Sequence, residues 1–254
     1  MVMQAQALSS RLERAEPRLT VALARNDDEV RACQRLRFEV FGLELGARLA
    51  SAPDGLDRDR FDAHCRHLMV RDQASGLVVA TTRVLLQQDA PAAGGFYSQS
   101  EFELEGVLAQ PGRFMEIGRT CIRADHRSRA ALTLLWSGLA RLVVLHGIDY
   151  LIGCASLPMQ GTGVQARALI ERIAQRYALP EAWNIRPRVP MPPAQGVLET
   201  AMQVPPLLRG YLRLGARVSR EGCWDPDFDV VDLFVLLNRD NLEQRYARHY
   251  LGED

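Results

Sequence analysis

The chain has 254 residues, 47% hydrophobic and 24% charged, and its 31 basic and 31 acidic residues cancel to a formal net charge of zero. That length holds one large domain or two small ones, and the balanced charge excludes the basic footprint of a nucleic-acid binder. Every basic residue is arginine, which excludes mechanisms built on a catalytic lysine, such as a Schiff base or a P-loop.

In chain order, residues 1–17 are polar and patternless and read as a flexible tail ahead of one domain over 18–254. Leu19–Arg25 (LTVALAR) predicts a first strand. Asn26 has the character of an N-cap, and Asp27, Asp28 and Glu29 place acids in the first turn of a following helix, where they suit its dipole. Gly42 and Gly46 predict that this helix frays into a loop carrying ASAPDGLDRDRFD. HLMVRD and GLVVATTRVLL, joined by a short polar turn ending at Gly76, predict a hairpin. A loose Gly/Pro-rich stretch, residues 89–113, leads to a strand over Phe114–Ile122.

A long buried helix is expected over RAALTLLWSGLARLVVLH, capped by Gly147, followed by the strand IDYLIGCAS and the amphipathic helix GVQARALIERIAQRYAL. A Pro-rich insertion near 180–205 separates these from a helix ending at Gly215, the apolar strand VVDLFVLLN and a terminal helix LEQRYARHYL. Interspersed strands and helices predict an α/β fold, one central mixed sheet with helices on both faces.

Five widely spaced cysteines without a CxxC pair fit reduced thiols in a cytosolic protein. No Cys/His spacing suggests a zinc site, so no metal is expected. No signal peptide and no spanning segment is visible, while attachment to a membrane surface stays open.

The strand FMEIGRTCI poses the main question. Glu116 and Arg119 lie three apart in an apolar run, and strand side chains alternate with period two, so they should face opposite ways. A β-bulge at Gly118 would shift the alternation, put both groups on one face and free a backbone N–H near Ile117 or Gly118. A carboxylate in that setting has its pKa raised and becomes a proton acceptor. The alternative is a buried Glu–Arg ion pair with no chemistry.

RLRFEVF, LDRDRFD, TTR and EIGR occur in the order of the motifs of acyl-homoserine-lactone synthases, a GNAT-like group that uses acyl carrier protein (ACP) thioesters. EIGRTCIRADHRSRAALTLLWSGLARLVVLHGIDYLIGCAS and PPLLRGYLRLGARV resemble more closely the L-ornithine N-acyltransferases, which form lyso-ornithine lipid from 3-hydroxyacyl-ACP. The tryptophan that the lactone synthases carry shortly after the phenylalanine is absent, which counts against an S-adenosylmethionine site.

The resemblance implies a GNAT-like bulged sheet with Glu116 and Arg119 catalytic and the backbone of Ile117 and Gly118 binding the oxyanion. It also implies a substrate pocket of Arg37, Phe41, Asp59, Asp62 and Arg83. The GNAT loop that wraps the coenzyme A pyrophosphate is replaced by RSRAAL, residues 127–132. There Arg123, Arg127, Ser128 and Arg129 suit the single phosphate of an ACP phosphopantetheine arm, helped by the helix N–H groups. Acyl-ACP is then a co-substrate and no cofactor is held permanently. L-ornithine and ACP are the implied partners, at a cytoplasmic site, with contact to the inner membrane surface possible.

For several residues two readings stand side by side. Asp59 and Asp62 orient a cationic substrate or pair with Arg37 and Arg83; those arginines bind a substrate carboxylate or neutralise the aspartates. Phe41 is core or acyl-pocket wall. An acyl-homoserine-lactone-type synthase and a non-catalytic acyl- or ACP-binding protein on the same scaffold are the competing functions.

Overall fold

The computed structural model describes residues 19–127, 129–159, 161–193, 196 and 201–241. The expected N-terminal tail and terminal helix therefore lie outside the described residues.

Strand β1 (Leu19–Leu23) leads into α1 (Asp27–Arg37). The helix starts where the sequence predicts, because the Asn26 side chain accepts a hydrogen bond from the Glu29 N–H at 3.0 Å. The Glu29 carboxylate in turn accepts from the Arg25 N–H at 2.8 Å. Such a cap is worth about 1 kcal/mol. α1 does not simply fray. It widens into a π-helical turn over Phe38–Glu44, a wound form common at functional sites.

The hairpin forms as β2 (Arg66–Asp72) and β3 (Val78–Leu86), with Gly76 at φ 72° in its turn. Every residue of β3 is buried, as a central strand covered on both faces requires.

The stretch after β3, residues 89–113, is ordered rather than loose. It carries α2 (Ser98–Glu101), β4 (Phe102–Glu103) and α3 (Glu105–Leu108). Phe96, Phe102, Leu104 and Val107 are all buried and pack in one cluster with Phe114, Ile152 and Phe234. Their irregular spacing has neither a helical nor a strand period, so sequence pattern does not reveal this core.

β5 (Phe114–Ile122) is followed by α4 (Arg129–His146), β6 (Tyr150–Pro158) and α5 (Val164–Tyr177). Gly147 stands at φ 58° just past α4, as a C-terminal glycine should. The Pro-rich segment is tied down by a two-residue strand, β7 (Arg186–Pro187), paired with β4. α6 (Pro206–Arg213), β8 (Arg217–Val218), β9 (Cys223–Asp225) and β10 (Val230–Asn238) complete the described elements.

The main sheet runs β1-β2-β3-β5-β6-β10-β8, with β9 also paired to β10. The β5–β6 pair is parallel and its other neighbouring pairs are antiparallel. Alternation sends Leu151, Ala155 and Leu157 of β6 towards α4 and α5, and Ile152 and Cys154 to the opposite face. That opposite face also receives α1, through Cys33 and Leu36 against Met69 and Cys121. The fold is thus a mixed α/β sheet with helices on both faces.

Two features of β5 position the site. Its parallel register with β6 covers Phe114–Glu116 against Tyr150–Ile152 and stops there. At the fork, a Cβ on Gly153 would lie 2.3 Å from the Ile117 carbonyl oxygen, so that position needs glycine. On the other edge, Thr81 faces Cys121 but Arg83 faces Gly118. Two steps on β3 thus match three on β5, which is one extra residue.

Candidate active site

The bulge sits one residue beyond the expected position. Gly118 keeps a negative φ, and Arg119 takes φ 51°, in the left-handed region. A non-glycine residue there carries strain of about 1–3 kcal/mol, which the surrounding contacts must hold in place. The extra residue puts Glu116, Gly118 and Arg119 along one cavity of about 490 Å³. This resolves the puzzle of the spacing: residues three apart face the same space because the alternation slips between them.

The carboxylate of Glu116 is buried, at 4% exposure. It accepts hydrogen bonds from the N–H groups of Tyr97 and Ser98, both at 2.7 Å, and from the Ser98 hydroxyl at 2.6 Å. It thereby anchors the start of α2. Burial raises its pKa, opposed by the Ser98 and Tyr97 hydrogen bonds and the Arg83 charge. Glu116 makes no ion pair with Arg119.

Arg119 instead reaches towards Asp57, with Nε 3.3 Å from Oδ2, and towards Asp59 at 3.7 Å. Its guanidinium lies 4.8 Å from the ring centre of Phe228 and 5.3 Å from that of Tyr97, positions suited to cation–π attraction. The Nε–H makes no hydrogen bond of normal geometry. Burial opposes its charge, but Tyr97, Asp57 and Asp59 hold the guanidinium protonated.

Four of the five expected substrate residues, Arg37, Asp59, Asp62 and Arg83, join Asp57 in an ionic cluster beside it. Arg37 is 0% exposed. Its Nε donates to Asp57 at 2.8 Å, Nη1 to Asp62 at 2.6 Å, and Nη2 to the Asp57 carbonyl and to Asp62. All three of its nitrogens are engaged within the protein, so it has no face to offer a ligand. Arg83 donates to Asp59 at 2.6 Å and lies 3.4 Å from Asp62. Asp62 loses solvation, but the hydrogen bond and charge of Arg37, with the charge of Arg83, bring its carboxyl down to about 2.

Three aspartates (57, 59, 62) thus meet three arginines (37, 83, 119), and formal charge cancels. His67 adds no charge at neutral pH, since burial lowers its pKa. Of this group Arg83 and Arg119 line the cavity; Arg37, Asp59 and Asp62 do not. Phe41, from the π-helical turn, lines it as a half-buried wall and meets Phe228 edge-on at 6.2 Å.

At the expected phosphate loop, Arg123 donates to Asp125 at 3.0 Å and Arg127 to Glu44 at 2.6 Å. Ser128 and the side chain of Arg129 lie outside the described residues. Exposed pairs of this kind contribute little to stability and can exchange one anion for another. The backbone at Gly118 faces open space: an added Cβ would meet nothing within 4 Å.

A second group of carboxylates was not foreseen. Glu101, Asp225 and Asp232 bring their oxygens within 4.8 Å of one another, and Asp225 and Asp232 line the cavity. A signal for Asp232 was present in the sequence, since it interrupts the apolar run VVDLFVLLN just as Glu116 interrupts FMEIGRTCI. Glu101 and Asp225 sit in short segments without a pattern.

The chain's residues 36–137 match the acetyltransferase (GNAT) domain model. The chain is 36% identical to an L-ornithine N(alpha)-acyltransferase of Agrobacterium fabrum, over 92% of this chain and 86% of that protein. It is 35% identical to an L-ornithine N(alpha)-acyltransferase of Rhizobium meliloti, over 91% and 84% respectively. Among solved structures, the fold matches FeeM, an N-acyl amino acid synthase from uncultured soil microbes, with TM-score 0.54 at 9% identity, over 89% of this chain and 94% of that one. It also matches the AHL synthase LasI, with TM-score 0.52 at 14% identity, over 93% and 96%. A GNAT-like sheet forked around an acid, joined to near-full-length identity of this order, makes the chain a member of the L-ornithine N(alpha)-acyltransferase family.

Proposed function

We propose that the protein transfers a 3-hydroxyacyl chain from acyl-ACP to the α-amine of L-ornithine, giving lyso-ornithine lipid. The observation that carries this reading is the cavity at the β5–β6 fork, where Glu116, the open backbone at Gly118 and the cation of Arg119 meet apolar walls such as Phe41 and Leu208.

The acceptor ammonium must lose a proton before it can attack, since an α-amine has a pKa of about 8. Glu116, directly or through one water, takes that proton; its raised pKa makes it a competent acceptor. The freed amine adds to the thioester carbonyl. Negative charge then grows on the carbonyl oxygen, and the backbone at Ile117 and Gly118, past the end of the β5–β6 register, supplies N–H donors for it. Collapse of the tetrahedral adduct expels the phosphopantetheine thiolate, which is reprotonated, and leaves the amide. No covalent enzyme intermediate is needed. Arg119, whose side chain borders the cavity, receives the acceptor carboxylate in this reading; Arg83 adds a second cation.

Arg123, Arg127, Ser128 and Arg129 guide the ACP arm at the start of α4. Glu44 and Asp125 give way to the incoming phosphate. Leu43 and Leu45, 69% and 63% exposed, offer an apolar rim, and Leu45 lines the cavity itself. That rim suits a peripheral membrane contact through which a lipid-like product leaves. No helix among the described residues is long and apolar enough to cross a membrane.

The test is mass spectrometry of lipids from a host expressing the chain or its Glu116→Gln variant. New N-(3-hydroxyacyl)ornithine that requires Glu116 supports the reading. Equal product from a folded Glu116→Gln protein removes the base role, and no product from the unaltered chain removes the function.

A further inference from the structure

Two acid groupings lie near the cavity, and they differ in kind. The aspartates at 57, 59 and 62 are matched one for one by arginines. Glu101, Asp225 and Asp232 have no ion pair among the described residues. Asp232 accepts from the Ser156 hydroxyl at 2.7 Å. Asp225 accepts from the N–H groups of Asp227 and Phe228, at 2.9 and 3.1 Å.

Glu101 has less. It is 8% exposed, and neither of its oxygens receives a hydrogen bond of normal geometry. The Tyr97 and Cys154 side chains approach it and favour its charged form, but at geometry short of a normal hydrogen bond. A buried carboxyl whose donors are this poorly placed is destabilising by about 1–3 kcal/mol. A ligand with well-placed donors relieves that cost.

The ligand must bring positive charge and several donors. It must also reach the group from the cavity that Asp225 and Asp232 line. An alkylammonium fits: it has three N–H donors for three carboxylates and a slim apolar stem. We infer that Glu101, Asp225 and Asp232 form the receptor for the side-chain ammonium of the amino-acid acceptor. This rests on the N-acyltransfer proposed above and adds its specificity. With the side-chain ammonium held against these carboxylates, the α-amine is the one left to face the thioester. A neutral amino acid would enter without satisfying Glu101.

The titration of the group agrees. Burial, then the charge of Asp232, pushes the Glu101 carboxyl up to about 8, with Tyr97 and Cys154 opposing and Asp225 adding to the rise. Burial pushes Asp232 up to about 6, opposed by Ser156 and Arg119 and reinforced by Asp225. Glu101 therefore holds a proton at neutral pH while no cation is present, and an ammonium displaces it.

The experiment measures kcat/KM of the full chain and of Glu101→Gln with 3-hydroxyacyl-ACP and two acceptors, L-ornithine and its neutral isostere L-norleucine, in which a methyl replaces the side-chain ammonium. A Glu103→Gln variant, on the exposed face of β4, is the control. The unaltered chain and the control are expected to prefer ornithine strongly. In Glu101→Gln that preference falls about 30-fold or more, the scale of removing one partner from a buried charge pair. A preference that survives in a folded Glu101→Gln overturns the inference while leaving acyl transfer in place. Acylation of neither acceptor by the unaltered chain overturns the transfer reading itself. Loss of ornithine turnover on chelation, restored by a divalent cation, would give the carboxylates to a metal and also overturn the inference.

Discussion

Replacing Arg37 by methionine separates a structural arginine from a substrate-binding one. The side chain is fully buried and gives hydrogen bonds to Asp57, Asp62 and the Asp57 carbonyl. Methionine fills much the same space but supplies no donor and no charge. Asp57 and Asp62 would then stand buried with two arginines against three acids. Breaking a buried pair by removing one partner is destabilising by about 3–5 kcal/mol. For a chain of this size each kcal/mol lowers Tm by about 2–4 °C, so the expected fall is about 6–20 °C.

The assay is thermal or urea unfolding, with ornithine KM measured on the fraction that folds. Adding Asp62→Asn to Arg37→Met should recover part of the loss, because it removes one of the stranded charges. The acid dependence should change as well. The Asp62 carboxyl is held at about 2 against an ordinary 3.8. A depressed carboxyl contributes stability that is present above about pH 4 and lost as pH falls through about 2. The difference is worth about 2 kcal/mol. In Arg37→Met that slope should flatten. A loss under about 1 kcal/mol, with a large rise in ornithine KM, would refute the structural assignment and restore Arg37 as a carboxylate receiver.

Further expectations follow from the fork and the bulge. Glu116→Gln should lower kcat by about 10²–10⁴-fold, the usual scale for a general base, and should remove the low-pH limb of kcat; rate measurements at saturating ornithine check both. Gly118→Ala should leave unfolding free energy within about 0.5 kcal/mol, since its Cβ meets nothing within 4 Å. It should nevertheless lower kcat/KM by about tenfold or more, because the methyl stands where the thioester must approach. Gly153→Ala should behave in the opposite way and lose stability, as its Cβ would collide with the Ile117 carbonyl. Arg127→Glu should raise KM for acyl-ACP and leave the KM for ornithine unchanged.

Much of the frame was legible because the physics is local. The Asn26 cap, the Gly76 turn and the Gly147 terminus are each set by a few neighbouring residues. The strand periods then place helices on both faces. The misplaced charges in FMEIGRTCI pointed to a bulge, and the bulge exists, although at Arg119 rather than Gly118. No residue pattern specifies which position adopts a positive φ when the preceding glycine could have done so; the contacts of Arg119 with Asp57, Asp59, Phe228 and Tyr97 decide it.

Less legible were partners fixed only in three dimensions. The acids at 59 and 62 read equally well as substrate ligands or ion-pair members. The deciding fact, three arginines converging from α1, β3 and β5, is tertiary. The segment between β3 and β5 hid its core because apolar residues at irregular spacing carry no period. Its Tyr97 and Ser98, which anchor the Glu116 carboxylate, had no signal at all.

The most direct measurement is a reaction of the purified chain with 3-hydroxyacyl-ACP and isotope-labelled L-ornithine, read by product mass and fragmentation. The expected product is an amide on the α-nitrogen, formed by the unaltered chain and lost by at least about a hundredfold in Glu116→Gln. Acylation of the side-chain nitrogen, or undiminished product without that carboxylate, would contradict it.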